Sequence, residues 1–268
     1  MQKTKPTCWI FGDEAGRIGQ DRFFAIGIVG TKEPKKVVEI LRDIRKRTDY
    51  FDEISYKSSN QKRILCAIRW TDWFFSGQDI VHFKILIKDA DDFDVSYYEK
   101  NKYKAGASQL AYCESYKEVL NNFACYNENE KGLVYSKVGL EKMDLENHLV
   151  GEIRGLTKEW CFSRHTSEKR KDGSEYTGTA ELLQLCDLLT SSTRGLCCSL
   201  FGSENSESWD KNTLRKNIHY YIPNIKDKLS KNQNVYFPKY EPYNKQTFVI
   251  YKWRGGVKRQ STPILVRR

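Results

Sequence analysis

The stretch Cys8-Trp9-Ile10-Phe11-Gly12-Asp13-Glu14-Ala15-Gly16 decides how the rest of the chain is read. Cys8 to Phe11 is an apolar run of the kind that forms a buried strand, and it ends in two adjacent carboxylates, Asp13 and Glu14. Gly16 and Gly19 then turn the chain into a second apolar run, Phe23 to Val29. The pattern predicts a β-hairpin with negative charge at its mouth. Successive strand residues point to opposite faces, so only one carboxylate can look into a shared site. We assign that place to Asp13, as a metal ligand, with Glu14 in support. The competing reading makes both of them solvated turn residues, because Asp and Gly are ordinary turn formers.

Composition narrows the classes. A chain of 268 residues buries a sizeable core, and 39% hydrophobic with 13% aromatic residues argues against disorder. No apolar run approaches the roughly 20 residues that span a bilayer, and the N-terminus lacks a signal-peptide apolar region, so a soluble, cytoplasmic protein without a membrane partner is expected. The eight cysteines form no C-x-x-C pair and sit mostly in apolar segments, the usage of small buried hydrophobes in a reducing compartment. A net charge of +10 spread around a small acidic cluster suits an enzyme acting on a polyanion, although a basic protein need not bind one.

Outward from the hairpin, Pro34 opens a predicted helix over 35–47, with Val37, Ile40, Leu41 and Ile44 on one face and a basic face that is either solvated or touches phosphates. Glu53 to Lys57 is predicted as a short extended segment, its acid a candidate metal ligand and its lysine a phosphate contact; the plainer reading is a surface ion pair. Asn60 caps a helix over 61–75. A strand over 80–87 runs into Asp89, a helix covers 108–124, a strand 132–139 and a helix 145–160. Residues 162–178 form an exposed loop in which Arg164, Lys169 and Arg170 are candidate substrate contacts. The helix over 179–194, capped by Thr179, is apolar around most of its circumference. Its polar residues, Glu181, Gln184, Asp187, Ser191 and Arg194, fall in one stripe, as on a buried helix that faces a polar site. Beyond it, 212–229 reads as a helix broken at Pro223 and 246–253 as a strand. The simplest division is a domain over 1–202 and a C-terminal helical and strand extension with a basic tail over 203–268, packed on it.

Three acids thus stand out, Asp13, Glu53 and Asp187, each from a different part of the chain. Carboxylates brought together in this way hold Mg²⁺ or Mn²⁺, and two such ions about 4 Å apart activate water and stabilise a leaving oxygen in phosphodiester cleavage. With these residues in view, the sequence resembles the DUF3800 family, whose members look like RNase H-fold proteins. The resemblance is carried by Gly12-Asp13-Glu14-Ala15-Gly16, Glu53-Ile54-Ser55-Tyr56-Lys57 and Leu183-Gln184-Leu185-Cys186-Asp187-Leu188, in the family's order and spanning most of the chain.

The resemblance implies an α/β fold, an RNase H-like mixed sheet flanked by helices, and a metal-dependent nuclease site. Catalysis would fall to Asp13, Glu14, Glu53 and Asp187, with Asp13, Glu53 and Asp187 as metal ligands. Gln184 would support the helix or touch the substrate, alongside Lys57 and Arg194. Two departures stand beside it. The 132–139 strand carries no acid, offering Ser136 and Lys137 instead, so Asp89 is taken as a substitute ligand, with Glu14 the other candidate, and Ser55 occupies the lysine position of the family's Glu-x-Lys. The sequence expectation is therefore a Mg²⁺- or Mn²⁺-dependent nuclease acting on RNA or DNA, with possible protein partners and, by family resemblance, a setting in bacterial defence or a mobile element. The alternatives are a catalytically inactive nucleic-acid-binding or complex-forming subunit on the same fold, and a different nuclease fold built on Glu39 or Glu53, which leaves Asp187 unexplained.

Overall fold

In a computed structural model of the chain, the described residues are 8–18, 20–56, 60–76, 80–89, 112, 115–116, 118–120, 136–140, 160–163, 180–202, 209–231, 235–238 and 246–253. Strand β1 (Cys8–Ala15) and strand β2 (Phe23–Thr31) form the expected antiparallel hairpin, with Trp9 opposite Thr31 and Ala15 opposite Ala25. The first strand does not stop at the acids. Asp13 and Glu14 are ladder residues opposite Gly27 and Ile26, so the alternation of faces applies to them directly.

The sheet grows in both directions from this hairpin. β2 pairs antiparallel with β3 (His82–Asp89), which pairs parallel with β7 (Gln246–Trp253), and β6 (Val235–Pro238) lies antiparallel beyond it. On the other side β1 pairs parallel with β4 (Ser136–Leu140), and β4 with β5 (Trp160–Ser163). The result is a seven-stranded mixed sheet in the order β5-β4-β1-β2-β3-β7-β6. The C-terminal residues expected to pack on the first domain thus enter its sheet, beside β3.

Helices cover both faces, giving the α/β architecture that the resemblance implies. On one face, Phe11, Val29 and Phe83 share a core with Leu41 of α1 (Pro34–Thr48), Trp70 of α2 (Gln61–Phe75) and Leu185 of α3 (Ala180–Leu200). On the other, Phe24 meets the Tyr112 ring edge-on at 4.8 Å, and residues 112, 115–116 and 118–120 are helical. Helix α4 (Trp209–Tyr221) adds Leu214 and Ile218 to the first core, and the chain turns at Pro223 into α5 (Ile225–Ser230).

Local chemistry sets several boundaries where the sequence places them. Pro34 begins α1, where its missing N–H costs no helical hydrogen bond. Asn60 caps α2 by accepting from the Lys62 and Arg63 amides. Gly27 admits α3 to the sheet: a Cβ built there would lie 1.9 Å from Thr190 Oγ1 and 3.0 Å from the Phe83 ring.

Four expectations change. Residues 53–55 have no regular structure, and Tyr56 sits in a turn, because this segment is held by side chains and not by a strand partner. The basic face of α1 is not uniformly solvated: Arg45 is buried and Arg42 pairs with Glu181 of α3 at 2.9 Å. Residues 160–163, placed by sequence at the end of a helix and the start of a loop, form β5. Finally, β4 starts later than expected and reaches Leu140, beside Gly12, the residue before Asp13. Glu141, next in the sequence, lies outside the described residues, as do Thr179, residues 145–159 of the helix expected over 145–160 and residues 164–178 of the loop expected over 162–178.

Candidate active site

A cavity of about 610 Å³ opens at the C-terminal end of β1. Asp13 and Glu14 line it from the strand, and Gly16 lines it from the turn that follows. Glu53, Ser55 and Tyr56 enter from the segment between α1 and α2. Helix α3 contributes Leu183, Gln184, Asp187, Ser191 and Arg194, the three- and four-residue spacing of one helical stripe. Lys211 of α4 and Tyr112 also line it. Asp13 and Glu14, Glu53 and Asp187, from three distant parts of the chain, therefore share one concavity.

The two adjacent acids take opposite faces. Asp13 is 6% exposed and stands opposite Gly27, whose face is packed by Thr190 of α3. Its Oδ1 accepts the Glu14 backbone N–H at 2.8 Å. Glu14 Oε2 accepts from the Tyr116 hydroxyl, on the other side of the sheet, at 3.4 Å. Burial drives the Tyr116 phenol well above its ordinary pKa, and the charges of Glu14 and Asp13 push it further, so it remains a donor to Glu14.

Asp187 is half-buried, and its Oδ1 accepts from Ser191 Oγ, one turn on, at 2.8 Å. Cys186, beside it, points the other way: its thiol donates to the Phe11 and Gly27 carbonyls at 3.4 and 3.3 Å. Burial first, and Asp13 second, raise that thiol well above its usual pKa. Cys186 is a neutral packing group against the hairpin and not a nucleophile.

Gln184 is only 1% exposed. Its Oε1 accepts from Arg45 Nη2 at 2.5 Å and from the Ile54 backbone N–H at 2.9 Å. Arg45 also donates to the Asp52 carbonyl at 2.6 Å, and the Tyr50 hydroxyl donates to the Glu53 carbonyl at 2.9 Å. The backbone on both sides of Glu53 is fixed in this way, while its side chain is exposed.

Arg194 reaches the cavity wall but is tied to the hairpin: its Nε donates to the Phe23 carbonyl at 2.8 Å and its Nη2 lies 3.7 Å from Asp21. Gly16 makes room for it, with φ +82° and a would-be Cβ 2.8 Å from Arg194 Nε. This is the physical reason for a glycine three residues after Asp13. Glu181, assigned to the same stripe, does not line the cavity; it is buried against Arg42.

The assignment of Asp89 as a ligand needs correction. It ends β3 opposite Phe23, is not among the residues that line the cavity, and pairs with Arg22 at 3.6 Å. Lys57, Arg164, Lys169 and Arg170 lie outside the described residues.

Sequence reasoning missed Tyr56 and Lys211. The Tyr56 hydroxyl accepts from Arg215 Nε at 2.8 Å, and Lys211 Nζ sits 5.5 Å from the ring centroid. A Cβ at Gly195 would fall 2.1 Å from that hydroxyl, so the glycine makes space for Tyr56. No periodicity in α4 marks Lys211 as a site residue; only its packing against α3 does.

The donor set is made of hard carboxylate oxygens, which suits Mg²⁺ or Mn²⁺. Among the described residues, however, no three His, Cys, Asp or Glu side chains stand close enough together to hold an ion as a closed cluster. Magnesium does not need one. It is commonly held by one or two carboxylates, with water and substrate phosphate completing its shell. Among the described residues no helix is long and apolar enough to cross a membrane.

No family model matches the chain, and no curated protein does. Among solved structures, the chain is similar to the ribonuclease H2 of Pyrococcus horikoshii OT3, with 16% identity, coverage of 81% of this chain and 88% of that one, and a TM-score of 0.42. It is also similar to a chain of the PCNA:RNase HII complex of Archaeoglobus fulgidus, with 14% identity, coverage of 81% and 90%, and a TM-score of 0.40.

Proposed function

We propose that the chain is a metal-dependent nuclease of the DUF3800 type, hydrolysing phosphodiester bonds of RNA or DNA at the cavity beside β1. The observation that supports this reading most is the convergence of Asp13, Glu14, Glu53 and Asp187 on one cavity in a protein of net charge +10. A net positive charge draws in a polyanion, and the carboxylates gathered at the cavity are where cations would be held. Asp13 and Asp187 would hold Mg²⁺ or Mn²⁺, with Glu53 joining from the exposed side. The ion would supply charge neutralisation at the phosphate and a more acidic water. Ser191 orients the Asp187 carboxylate, Tyr116 holds Glu14, and Lys211 offers a point charge for a neighbouring phosphate.

The test is calorimetric titration of Mn²⁺ into wild type and Asp187→Asn, followed by incubation of both with RNA and DNA substrates. Binding and cleavage lost together in the variant support the proposal. Cleavage that survives both Asp13→Asn and Asp187→Asn refutes it. One observation favours a second reading, an inactive nucleic-acid-binding subunit: the described acids do not form a closed three-ligand cluster. That reading requires salt-sensitive nucleic-acid binding without turnover under any divalent metal.

A further inference from the structure

The contacts of Gln184 assign it a task that the nuclease reading does not contain. We infer that Gln184 is a positioning residue, a latch from α3 that sets the place of Glu53 at the cavity mouth. The inference deepens the proposed function and rests on it for its catalytic consequence, but not for the latch itself.

Glu53 lies in a segment without regular structure, so no ladder or helix fixes its backbone. What fixes it is a set of side-chain contacts: Arg45 on the Asp52 carbonyl, Tyr50 on the Glu53 carbonyl and Gln184 on the Ile54 amide. Of these three side chains only Gln184 also lines the cavity, and it sits one helical turn before Asp187. The same carbonyl oxygen accepts from Arg45, so a single atom joins α1, α3 and the Glu53 segment. Losing that atom frees the Ile54 amide and removes an anchor for the Arg45 guanidinium together.

A second observation separates this role from plain packing. Gln184 Nε2 is buried and has no hydrogen-bond partner among the described residues. An unpaired buried donor is destabilising, and an apolar residue of similar shape would avoid it. A position whose only duty was to fill space would gain from that replacement. An amide here is useful for the acceptor it presents to two donors.

The experiment compares wild type, Gln184→Met and Gln184→Glu. Methionine keeps the length and removes the acceptor; glutamate keeps the acceptor and removes the unpaired donor. Native-state hydrogen exchange at the Ile54 amide is the first readout. We expect exchange about tenfold faster in Gln184→Met, the loss of one hydrogen bond of ordinary net strength or somewhat more, and wild-type protection in Gln184→Glu. Equal protection in all three overturns the latch, whatever happens to activity.

The second readout is a double-mutant cycle with Glu53→Gln on metal-dependent cleavage. If Gln184 acts through Glu53, Gln184→Met lowers kcat in the wild-type background and adds little once Glu53 has been replaced. An equal loss in both backgrounds overturns the positioning role and leaves the nuclease reading intact. A wild type that cleaves neither RNA nor DNA defeats the nuclease reading, and the exchange rates still decide the latch.

Discussion

Gly27 is the point where the site depends on a missing side chain, and Gly27→Ala tests that dependence. A methyl built on Gly27 lies 1.9 Å from Thr190 Oγ1, whereas ordinary contact begins at about 3.4 Å. The hydroxyl would have to retreat by about 1.5 Å. Rotating Thr190 does not remove the conflict, because its Cβ is itself 3.0 Å from the new methyl and the Phe83 ring closes the other side at 3.0 Å. Both neighbours are fully buried, so α3 as a whole has to move away from β2.

Overpacking of this kind costs about 1–3 kcal/mol. The stiffer unfolded chain returns about 0.4–1 kcal/mol, which is smaller. We therefore expect net destabilisation, read as a lower urea midpoint with an unchanged slope. Asp187 lies three residues from Thr190, about 4.5 Å along the helix, so the displacement is felt at the cavity. A misplacement of about 1 Å can cost about 100-fold in rate, so metal-dependent cleavage should fall more steeply than stability. Adding Thr190→Ala removes the worst contact and should restore part of both. Wild-type stability in Gly27→Ala would refute the close approach of α3 to β2.

Other outcomes follow from the same contacts. Arg42→Ala leaves the Glu181 carboxylate buried without that partner and should lower stability by about 1–3 kcal/mol in chemical denaturation. Arg42→Lys should recover part of it. Burial lowers Lys84 to about 7, with the Glu118 charge opposing the shift, while an unfolded lysine keeps its proton to about pH 10.4. The unfolded state therefore binds more protons between these values, so this residue makes stability rise with pH from about 7 upward, and Lys84→Met should flatten that slope. Cys186 and Tyr116 act in the opposite sense at higher pH. Their pKa values are raised in the folded state, so their contribution is complete below the unfolded values near 8.5 and 10 and is lost as pH rises. Peptide mapping after alkylation of native protein at pH 8 should find Cys186 unmodified; rapid labelling there would contradict its burial. Lys211→Ala should raise KM for a nucleic-acid substrate with little change in kcat and reduce the salt dependence of binding by about one counterion; an unchanged salt slope would remove Lys211 from the substrate path.

Whatever depends on local chemistry and periodicity is legible before any tertiary contact is known. Cys8 to Val29 reads as a hairpin because two apolar runs flank a glycine turn, and Asn60 starts α2 because its side chain meets the amides of the first turn. The polar stripe of α3 was visible for the same reason: helical spacing alone puts Gln184, Asp187, Ser191 and Arg194 in one row. That Asp13 and Glu14 face opposite sides of the sheet followed from strand alternation and needed no tertiary information.

Whatever required knowing which distant segments meet came only with the packing of the elements. Glu53 is a principal candidate acid in the sequence and Asp89 a substitute ligand, yet only packing separates them: β3 carries Asp89 to Arg22 while side chains from α1 and α3 hold the Glu53 segment at the cavity. Glu181 shares a helical row with Asp187 but meets Arg42, because a row is a line along the helix and its neighbours change along its length. Arg45 is one base among several in the α1 sequence, and burial against the Trp70 ring and Gln184 makes it part of the frame around the Glu53 segment. Periodicity reports which side of an element is apolar. Only the packing of elements against one another says what the polar side will face.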